Sequence, residues 1–426
     1  MINHEILDVL IIGAGQAGLS TSYFLKENGI SHVVLERGKI GNSWEKRWDS
    51  FRLNSPHQYN LLPGEPPGSY HIHDFITGHD FIERLAKYAH THKLPVLENS
   101  NVISLKKSSV DDTFIVETIQ NGQNISWSSK QVVIAAGGEN NACLPQVSDQ
   151  VPEKIFQLHA IQYSNPSKLP EGAVLVVGSG TSGVQIAEDL IAANRKVYLA
   201  TSAVTRAPRR YRGRDIVEWM ADLHFFDKPT AVAEDFELNM KAPLMSGVGA
   251  SGHTISLQSL HRQGVILMGH LNNINQNVFK FENNLADNIK FGDDFSTQVK
   301  NGIDQFILAT GVNAEPPEFD EADFPDDSLL TYEPASQLDL DDHYITSIIW
   351  ATGFKPDFSW IKVPVLDELG KAIHSNGITT TKGLYFNGLP WLRNLKSSLI
   401  YGVVDDAKFI TNSILENHHA RTKVLA

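Results

Sequence analysis

The stretch Val9-Leu-Ile-Ile-Gly-Ala-Gly-Gln-Ala-Gly18 decides the fold at the start of the chain. The apolar residues from Ile6 to Ile12 predict a buried strand, and the composition from Ala17 to Glu27 predicts a helix that ends at Gly29. A second strand is predicted from His32 to Leu35. A strand, a glycine turn, a helix and a strand in this order indicate a doubly wound α/β sheet.

The glycine spacing in this turn is that of a dinucleotide-binding loop. Gly13 permits the tight turn, Gly15 lets a pyrophosphate approach the backbone, and Gly18 allows the helix to pack closely. The pyrophosphate would lie on the helix N-terminus, where free N–H groups favour negative charge. Glu36 follows the second strand, where its carboxylate can accept hydrogen bonds from a ribose diol. This context favours dinucleotide binding over a purely structural turn.

The same pattern returns near the middle of the chain. The strand Val174 to Val177 precedes the turn Gly178-Ser-Gly-Thr-Ser-Gly183, and the helix Val184 to Ala192 precedes the strand Lys196 to Ala200. Two such units predict two doubly wound, Rossmann-like domains, with the second inserted into the first. The predicted ranges are 1–170 and 343–426 for the two parts of the first domain and 171–342 for the inserted domain.

The residues after the second unit predict which nicotinamide dinucleotide it binds. No acid follows the strand; Thr201, Ser202 and then a run of arginines that begins at Arg206 stand there instead. A carboxylate would repel a ribose 2′-phosphate, whereas hydroxyl and guanidinium groups bind it. The pattern therefore favours NADPH over NADH, with Arg206 as the expected phosphate contact, although NADH stays an alternative. The competing interpretation is that the arginines form a solvated loop.

Further apolar runs complete the expected sheets. Three of them end in small residues and glycine and are interpreted as buried strands, namely Val132 to Gly137, Phe306 to Gly311 and Ile348 to Gly353. A last strand is predicted from Leu384 to Gly388, before a final helix from Asp406 to Glu416. Two dinucleotide sites in one chain suggest that a hydride passes from a nicotinamide to a flavin.

With these motifs, the chain resembles the flavin-containing monooxygenase superfamily (class B flavoprotein monooxygenases), and in particular a bacterial branch often labelled as flavoproteins related to potassium transport. The resemblance rests on the two glycine turns and the strands that end in glycine. It also rests on Ile40-Gly-Asn-Ser-Trp44, Tyr211-Arg-Gly-Arg-Asp215 and Gly383-Leu-Tyr-Phe-Asn-Gly-Leu-Pro-Trp391. It implies that FAD is reduced by NADPH and that a flavin C4a-hydroperoxide then oxygenates a small molecule, with N- or S-oxidation favoured.

The resemblance also implies roles for individual residues. Asn54 matches an asparagine near the reactive edge of the flavin, although an Asx turn before Pro56 would explain it equally well. His159 matches the end of the family fingerprint between the domains, where a hinge or cofactor anchor is favoured over acid–base catalysis. Glu153 and Ile155 replace the phenylalanine and glycine of that fingerprint, which favours N- or S-oxidation and leaves Baeyer–Villiger oxidation of a carbonyl as the alternative. The expected cofactor-binding residues are Gly13, Gly15, Gln16, Ala17, Gly18, Glu36, Arg37, Ser43, Trp44, His57, Val102, Ala136, Gly137, Gly178, Gly180, Thr181, Ser182, Gly183, Thr201, Ser202, Arg206 and Gly353.

Composition excludes several other classes of protein. The formal net charge of −13 argues against a nucleic-acid partner, because phosphate backbones need a basic face. The single cysteine, Cys143, excludes thiol–disulfide exchange within the chain and favours a reducing compartment, so the expected location is the cytoplasm, with no membrane partner. His71, His73 and His79 do not have metal-ligand spacing, and no metal is expected.

Three functions stay open from the sequence. The first is a monooxygenase whose partners are molecular oxygen and a small-molecule substrate. The second is a flavin reductase that passes electrons to a protein or quinone, and the third is a non-catalytic redox sensor. The substrate and the oligomeric state, including a homodimer, are left open.

Overall fold

A computed structural model describes residues 2–66, 75–230, 245, 247, 249 and 251–425. Its strands are β1 Ile2–Ile12, β2 His32–Leu35, β3 Val96–Leu97, β4 Ser100–Lys107, β5 Phe114–Gln120, β6 Gln123–Ile134, β7 Asn141–Ala142, β8 Phe156–His159, β9 Ala173–Val177, β10 Val197–Ala200, β11 Arg210–Tyr211, β12 Arg214–Asp215, β13 Ile266–Met268, β14 Leu271–Asn275, β15 Val278–Phe281, β16 Gln337–Asp339, β17 Ile345–Trp350, β18 Phe354–Lys355, β19 His374–Ser375, β20 Ile378–Thr379 and β21 Leu384–Phe386. Its α-helices are α1 Gln16–Glu27, α2 Gly78–Thr91, α3 Thr181–Ala192, α4 Ile216–Asp222, α5 Leu257–Arg262, α6 Leu285–Thr310 and α7 Ile400–Leu425.

The first sheet contains nine strands and carries the N-terminal glycine turn. Its main path runs β19-β20-β21-β6-β1-β2-β3, and the hairpin of β4 and β5 joins it through β6. The pairs of β1 with β2 and with β6 are parallel, with Ile12 opposite Leu35 and Ile134. Helices α1, α2 and α7 cover one face, where Leu19, Leu25 and Ile410 are buried. The predicted strand, turn, helix and strand are confirmed in this sheet.

The second sheet is entirely parallel, in the order β13-β10-β9-β17-β8. Its strands come in the chain between β6 and β19, and both of these belong to the first sheet. The second unit is therefore inserted into the first, which confirms the predicted arrangement of two doubly wound units. Two of its strands, β8 and β17, lie outside the predicted range 171–342. The division of the chain into domains at those positions stays a prediction.

One predicted strand is wrong. The run Phe306 to Gly311 forms the last turn of the long helix α6, and Leu308 is 85 % exposed rather than buried. Gly311 ends the helix in the left-handed conformation, with its N–H donated to the carbonyl of Ile307 at 2.9 Å. A short apolar run ending in glycine fits a helix C-terminus as well as a strand, and periodicity cannot separate the two.

Among the described residues, no helix combines the length and the apolar character that crossing a membrane would require.

Candidate active site

The two glycine turns open into one cavity. Its volume is about 1930 Å³, and its wall includes Gly13 and Gly15 of the first turn and Gly178 and Gly180 of the second. This arrangement follows from the fold, because ligands of doubly wound sheets bind at the carboxyl ends of the parallel strands. The cavity therefore brings together the two sites that the sequence predicted separately.

The first turn has the close packing that its glycines were expected to allow. Gly13 adopts a φ of +108°, and a Cβ atom there would lie 2.4 Å from the carbonyl oxygen of Ala135. A Cβ at Gly18 would lie 1.9 Å from the carbonyl oxygen of Gly13, so α1 starts directly against the turn. The space beside Gly15 is open to at least 4 Å, which leaves room for a diphosphate to approach the backbone.

Glu36 holds this turn and faces the cavity. One carboxylate oxygen accepts a hydrogen bond from the N–H of Ala14 at 2.8 Å, and the other accepts one from the N–H of Gly38 at 3.0 Å. Each oxygen keeps a further lone pair for a ribose hydroxyl. The open glycine loop and the buried acid together fit the adenosine diphosphate half of FAD.

Most other residues predicted for the first site also line the cavity, whereas Gly18 and His57 do not. The indole N–H of Trp44 donates to Gln16 Oε1 at 3.3 Å. His57 is buried in the short 3-10 helix His57–Asn60. The predicted first-site residues that line the cavity are Gly13, Gly15, Gln16, Ala17, Glu36, Arg37, Ser43, Trp44, Val102, Ala136 and Gly137.

The second turn repeats the geometry of the first. Gly178 has a φ of +107°, with a virtual Cβ 2.5 Å from the carbonyl oxygen of Ala351, and a Cβ at Gly183 would lie 1.8 Å from the carbonyl oxygen of Gly178. Helix α3 begins immediately after Gly180, so its free N–H groups lie at the cavity. The predicted residues of this site that line the cavity are Gly178, Gly180, Thr181, Ser182, Thr201, Ser202 and Gly353; Gly183 does not line it.

The two hydroxyl residues after β10 differ in what they can bind. Thr201 is 1 % exposed, and its hydroxyl donates to the carbonyl of Met268 at 2.7 Å and accepts from Asn288 Nδ2 at 3.0 Å. The main chain of Ser202 is held by Ser179, whose Oγ accepts from the Ser202 N–H at 3.0 Å. The Ser202 side chain is thus the better placed of the two hydroxyls for a ligand.

The expected phosphate contact at Arg206 needs correction. Arg206 is 3 % exposed, does not line the cavity, and forms ion pairs with Asp293 at 2.7 Å and with Asp323. Asp323 lies in the short 3-10 helix Glu321–Asp323, which follows α6 in the chain. Two carboxylates neutralise this guanidinium inside the protein, so it is not available to a phosphate. The other arginines of the run also have protein partners: Arg209 with Asp215, Arg210 with the carbonyl of Gly252, Arg212 with Asp304, and Arg214 with Glu218 and Asp222.

Asn54 lies in the cavity wall and is bonded to the second unit rather than to an Asx turn. Its Oδ1 accepts a hydrogen bond from Gln185 Nε2 at 3.0 Å, and its main-chain carbonyl accepts one from Arg209 Nη1 at 2.8 Å. Because Oδ1 faces Gln185, the two N–H groups of the carboxamide point elsewhere. Among the described residues no protein acceptor is found for Nδ2.

His159 lies at the end of β8 with both ring nitrogens engaged. Nδ1 accepts from the N–H of Ile161 at 3.2 Å, so Nε2 carries the proton and donates to the carbonyl of Gly353 at 2.9 Å. Burial, with a contribution from the positive charge of Arg47, lowers the pKa of His159. A neutral, doubly bonded imidazole fits the anchoring interpretation and has no free nitrogen for acid–base catalysis.

Sequence reasoning missed an aromatic part of the cavity. We call Tyr59, Met220, Phe225, Phe226 and Tyr401 the aromatic arm, since all five line the cavity and four of them are aromatic. The Tyr401 ring lies 5.2 Å from that of Tyr59 and 6.1 Å from that of Phe226, between centroids. Burial, with the Glu218 carboxylate, raises the pKa of Tyr59 to about 12, so the phenol is uncharged. These residues come from three separate segments, and no spacing signal in the chain joins them.

Within the described part of the chain, no group of three or more histidine, cysteine, aspartate or glutamate side chains could hold a metal ion. His71 and His73 lie outside the described residues, and His79 contacts Glu83 at 3.3 Å on an exposed helix face.

Comparisons with known proteins agree with this geometry. Residues 10–219 match the family model described as pyridine nucleotide-disulphide oxidoreductase. The chain is 33 % identical to an uncharacterized CzcO-like oxidoreductase of Geobacillus kaustophilus, over 97 % of this chain and 99 % of the relative. It is 30 % identical to the oxidoreductase CzcO of Bacillus subtilis, over 96 % and 99 % of the two chains.

A solved structure shows the same fold. It is a flavin-containing monooxygenase from Stenotrophomonas maltophilia, with a TM-score of 0.65 and 19 % sequence identity over 97 % of this chain and 99 % of that one. The chain belongs to the CzcO-like oxidoreductases and has the fold of a flavin-containing monooxygenase, in agreement with the family expected from the sequence.

Proposed function

We propose that the protein is an FAD-dependent monooxygenase that takes electrons from NADPH and oxygenates a neutral, apolar small molecule at sulfur or nitrogen. The observation that carries the proposal is the single cavity shared by the two glycine turns, because a hydride can pass between two coenzymes only where they meet. For a thioether the balance is R–S–R′ + O2 + NADPH + H+ → R–S(O)–R′ + NADP+ + H2O. Bound FAD would supply the transfer of electrons to oxygen.

The chain's own residues would hold the flavin coenzyme at the first turn. The open backbone beside Gly15 and the N-terminus of α1 would bind the diphosphate, and Glu36 would accept hydrogen bonds from the ribose. Ser43, Trp44 and Gly137 line the same cavity further from the turn and would contact the rest of the coenzyme.

The nicotinamide coenzyme would bind at the second turn, with Ser202 and His270 around the ribose 2′-phosphate. His270 follows β13, the strand next to β10, and lines the cavity with Ser202. Its backbone is fixed by the N–H it donates to Asn284 Oδ1 at 2.9 Å and by the N–H that Glu282 donates to its carbonyl at 2.8 Å. An imidazole N–H and a serine hydroxyl can both donate to phosphate oxygens, in place of Arg206.

The substrate would bind in the aromatic arm. The arm contains no acidic or basic residue, and the ammonium groups of Lys228 and Lys396, which lie 4.5 Å from the Phe225 centroid and 4.8 Å from the Tyr401 centroid, would repel a protonated amine placed there. An apolar or aromatic substrate would instead bury its surface against the rings. This supports oxygenation of a neutral sulfide or of an amine in its neutral form.

The test uses the FAD-loaded protein with NADPH, isotopically labelled oxygen and thioanisole. Labelled oxygen in the sulfoxide, with one NADPH consumed per product, supports the monooxygenase. Consumption of NADPH that yields only hydrogen peroxide would identify a reductase instead. A protein that binds FAD but leaves NADPH unconsumed would behave as a sensor, and the proposal would fail.

A further inference from the structure

The motif Tyr211-Arg-Gly-Arg-Asp215 ends in a buried carboxylate whose role the glycine turns do not explain. Asp215 is 0 % exposed, and its two oxygens accept hydrogen bonds from Arg209 Nε and Nη2 at 2.8 and 2.7 Å. Asp215 also caps helix α4 by accepting from the N–H of Val217 at 2.9 Å. A carboxylate in this setting is held by a bidentate ion pair, which fixes the plane of the guanidinium.

The fixed guanidinium reaches across to the first unit. Arg209 is 4 % exposed, and its remaining terminal nitrogen, Nη1, donates to the main-chain carbonyl of Asn54 at 2.8 Å. Its guanidinium carbon also lies 4.5 Å from the centroid of the Phe75 ring. The two bonds to Asp215 and the ring contact leave Arg209 one orientation, so the carbonyl of Asn54 is held at a set place.

The side chain of Asn54 is fixed from the same unit. Gln185, which lies on α3 two residues after Gly183, donates to its Oδ1 at 3.0 Å. With the carbonyl and Oδ1 both held, the Nδ2 donors of Asn54 have one direction left, toward the cavity that Asn54 lines. Both bonds come from the unit that carries the second turn, although Asn54 belongs to the first.

We propose that Asp215 is a positioning residue, which acts through Arg209 to aim the Asn54 carboxamide at the site of oxygen transfer. The inference rests on the proposed function for its catalytic consequence, but its structural part stands alone. The buried ion pair of Arg209 and Asp215 would thus serve the reaction in the cavity through Asn54. It also makes the placement of Asn54 depend on correct docking of the second unit against the first.

Two variants weaken the arrangement in different ways. Asp215→Asn removes the charge that orients Arg209, and Arg209→Lys keeps the positive charge but cannot bond both Asp215 and Asn54. The matched control is Asp304→Asn, because Asp304 bonds Tyr211 and Arg212 of the same motif but is 35 % exposed in its side chain and does not line the cavity.

The first readout needs no catalysis. Hydrogen–deuterium exchange of the peptide that contains Leu53, Asn54 and Ser55 is measured on the FAD-loaded protein without NADPH. We expect exchange at least roughly tenfold faster in Asp215→Asn and Arg209→Lys than in wild type, and unchanged exchange in Asp304→Asn. Equal exchange in all four proteins would overturn the inference, as would equal acceleration in all three variants.

The second readout separates positioning from general damage. We expect the kcat and KM for NADPH consumption to stay within about twofold of wild type, while sulfoxide formed per NADPH falls at least roughly tenfold and peroxide rises in proportion. If Asp215→Asn does not fold, Arg209→Lys decides the outcome. If wild type makes no sulfoxide, the proposed function fails, and the exchange measurement still decides whether Asp215 positions Asn54.

Discussion

The Nε2 atom of His159 donates a hydrogen bond to the carbonyl oxygen of Gly353 at 2.9 Å, and this bond joins the end of β8 to the turn after β17. The ring of Phe354 lies edge-on to the imidazole, with centroids 5.1 Å apart. The same carbonyl of Gly353 accepts the N–H of Cys143 at 3.0 Å. His159 thus fixes the turn through which the chain leaves the second sheet beside the cavity.

The burial of the His159 ring predicts a pH dependence of stability. The folded pKa of His159 is lowered, chiefly by burial, so the unfolded chain takes up a proton first as pH falls. The stability that neutral, buried His159 contributes to the folded state is complete above the unfolded pKa of about 6.5, and it is lost as the pH falls from there through the folded pKa. Replacing His159→Gln should reduce the change in unfolding free energy between about pH 7.5 and about pH 5.5. Urea unfolding of wild type and of the variant at both pH values measures this change in unfolding free energy. If the change is the same in both proteins, His159 is not the group responsible for it.

Glu36 should control flavin affinity. The carboxylate of Glu36 accepts hydrogen bonds from the N–H groups of Ala14 and Gly38 and, in the proposal, from the ribose of FAD. Glu36→Gln replaces this carboxylate with a neutral amide, so FAD should bind roughly tenfold to a hundredfold more weakly. Fluorescence titration of the FAD-free protein measures the affinity. Glu45→Gln, at an exposed position on the following loop, is the matched control and should bind FAD like wild type.

Selectivity for NADPH should depend on His270 and not on Arg206. We expect His270→Ala to weaken binding of 2′,5′-ADP by roughly tenfold and to leave binding of 5′-AMP unchanged, because only the first carries the 2′-phosphate. Calorimetric titration of the two nucleotides measures this directly.

The companion variant Arg206→Met tests the expectation from the sequence that Arg206 binds the 2′-phosphate. It removes the arginine from Asp323, which keeps its ion pair with Lys300, and should lower the unfolding free energy by about 1.5–3 kcal/mol, while the ratio of the two nucleotide affinities stays the same. A loss of selectivity in Arg206→Met, with none in His270→Ala, would reverse the two assignments.

The aromatic arm should set substrate preference. Phe226→Ala removes a ring that packs against Tyr401, and the KM for thioanisole should rise roughly tenfold while NADPH consumption without substrate stays the same. Phe319→Ala removes a ring that is 74 % exposed and does not line the cavity; it should match wild type. An equal rise in KM for both variants would count against the arm.

The sequence by itself determined the two glycine turns, the strands and helices on either side of them, and the acid at Glu36. These features are local: a tight turn before a helix restricts which residues can stand at Gly13 or Gly178 whatever the rest of the chain does. The apolar run at Phe306 was the exception, because a buried strand and a helix C-terminus have the same short pattern.

Only the tertiary structure decided which polar and aromatic side chains reach the cavity. Arg206 and Thr201 have the right residue types near the right strand, but Asp323 and Asn288, far along the chain, bind their polar groups. The aromatic arm and the contact of Arg209 with Asn54 join segments distant in sequence. Burial and ion pairing depend on distances in space, and a linear pattern does not contain those distances.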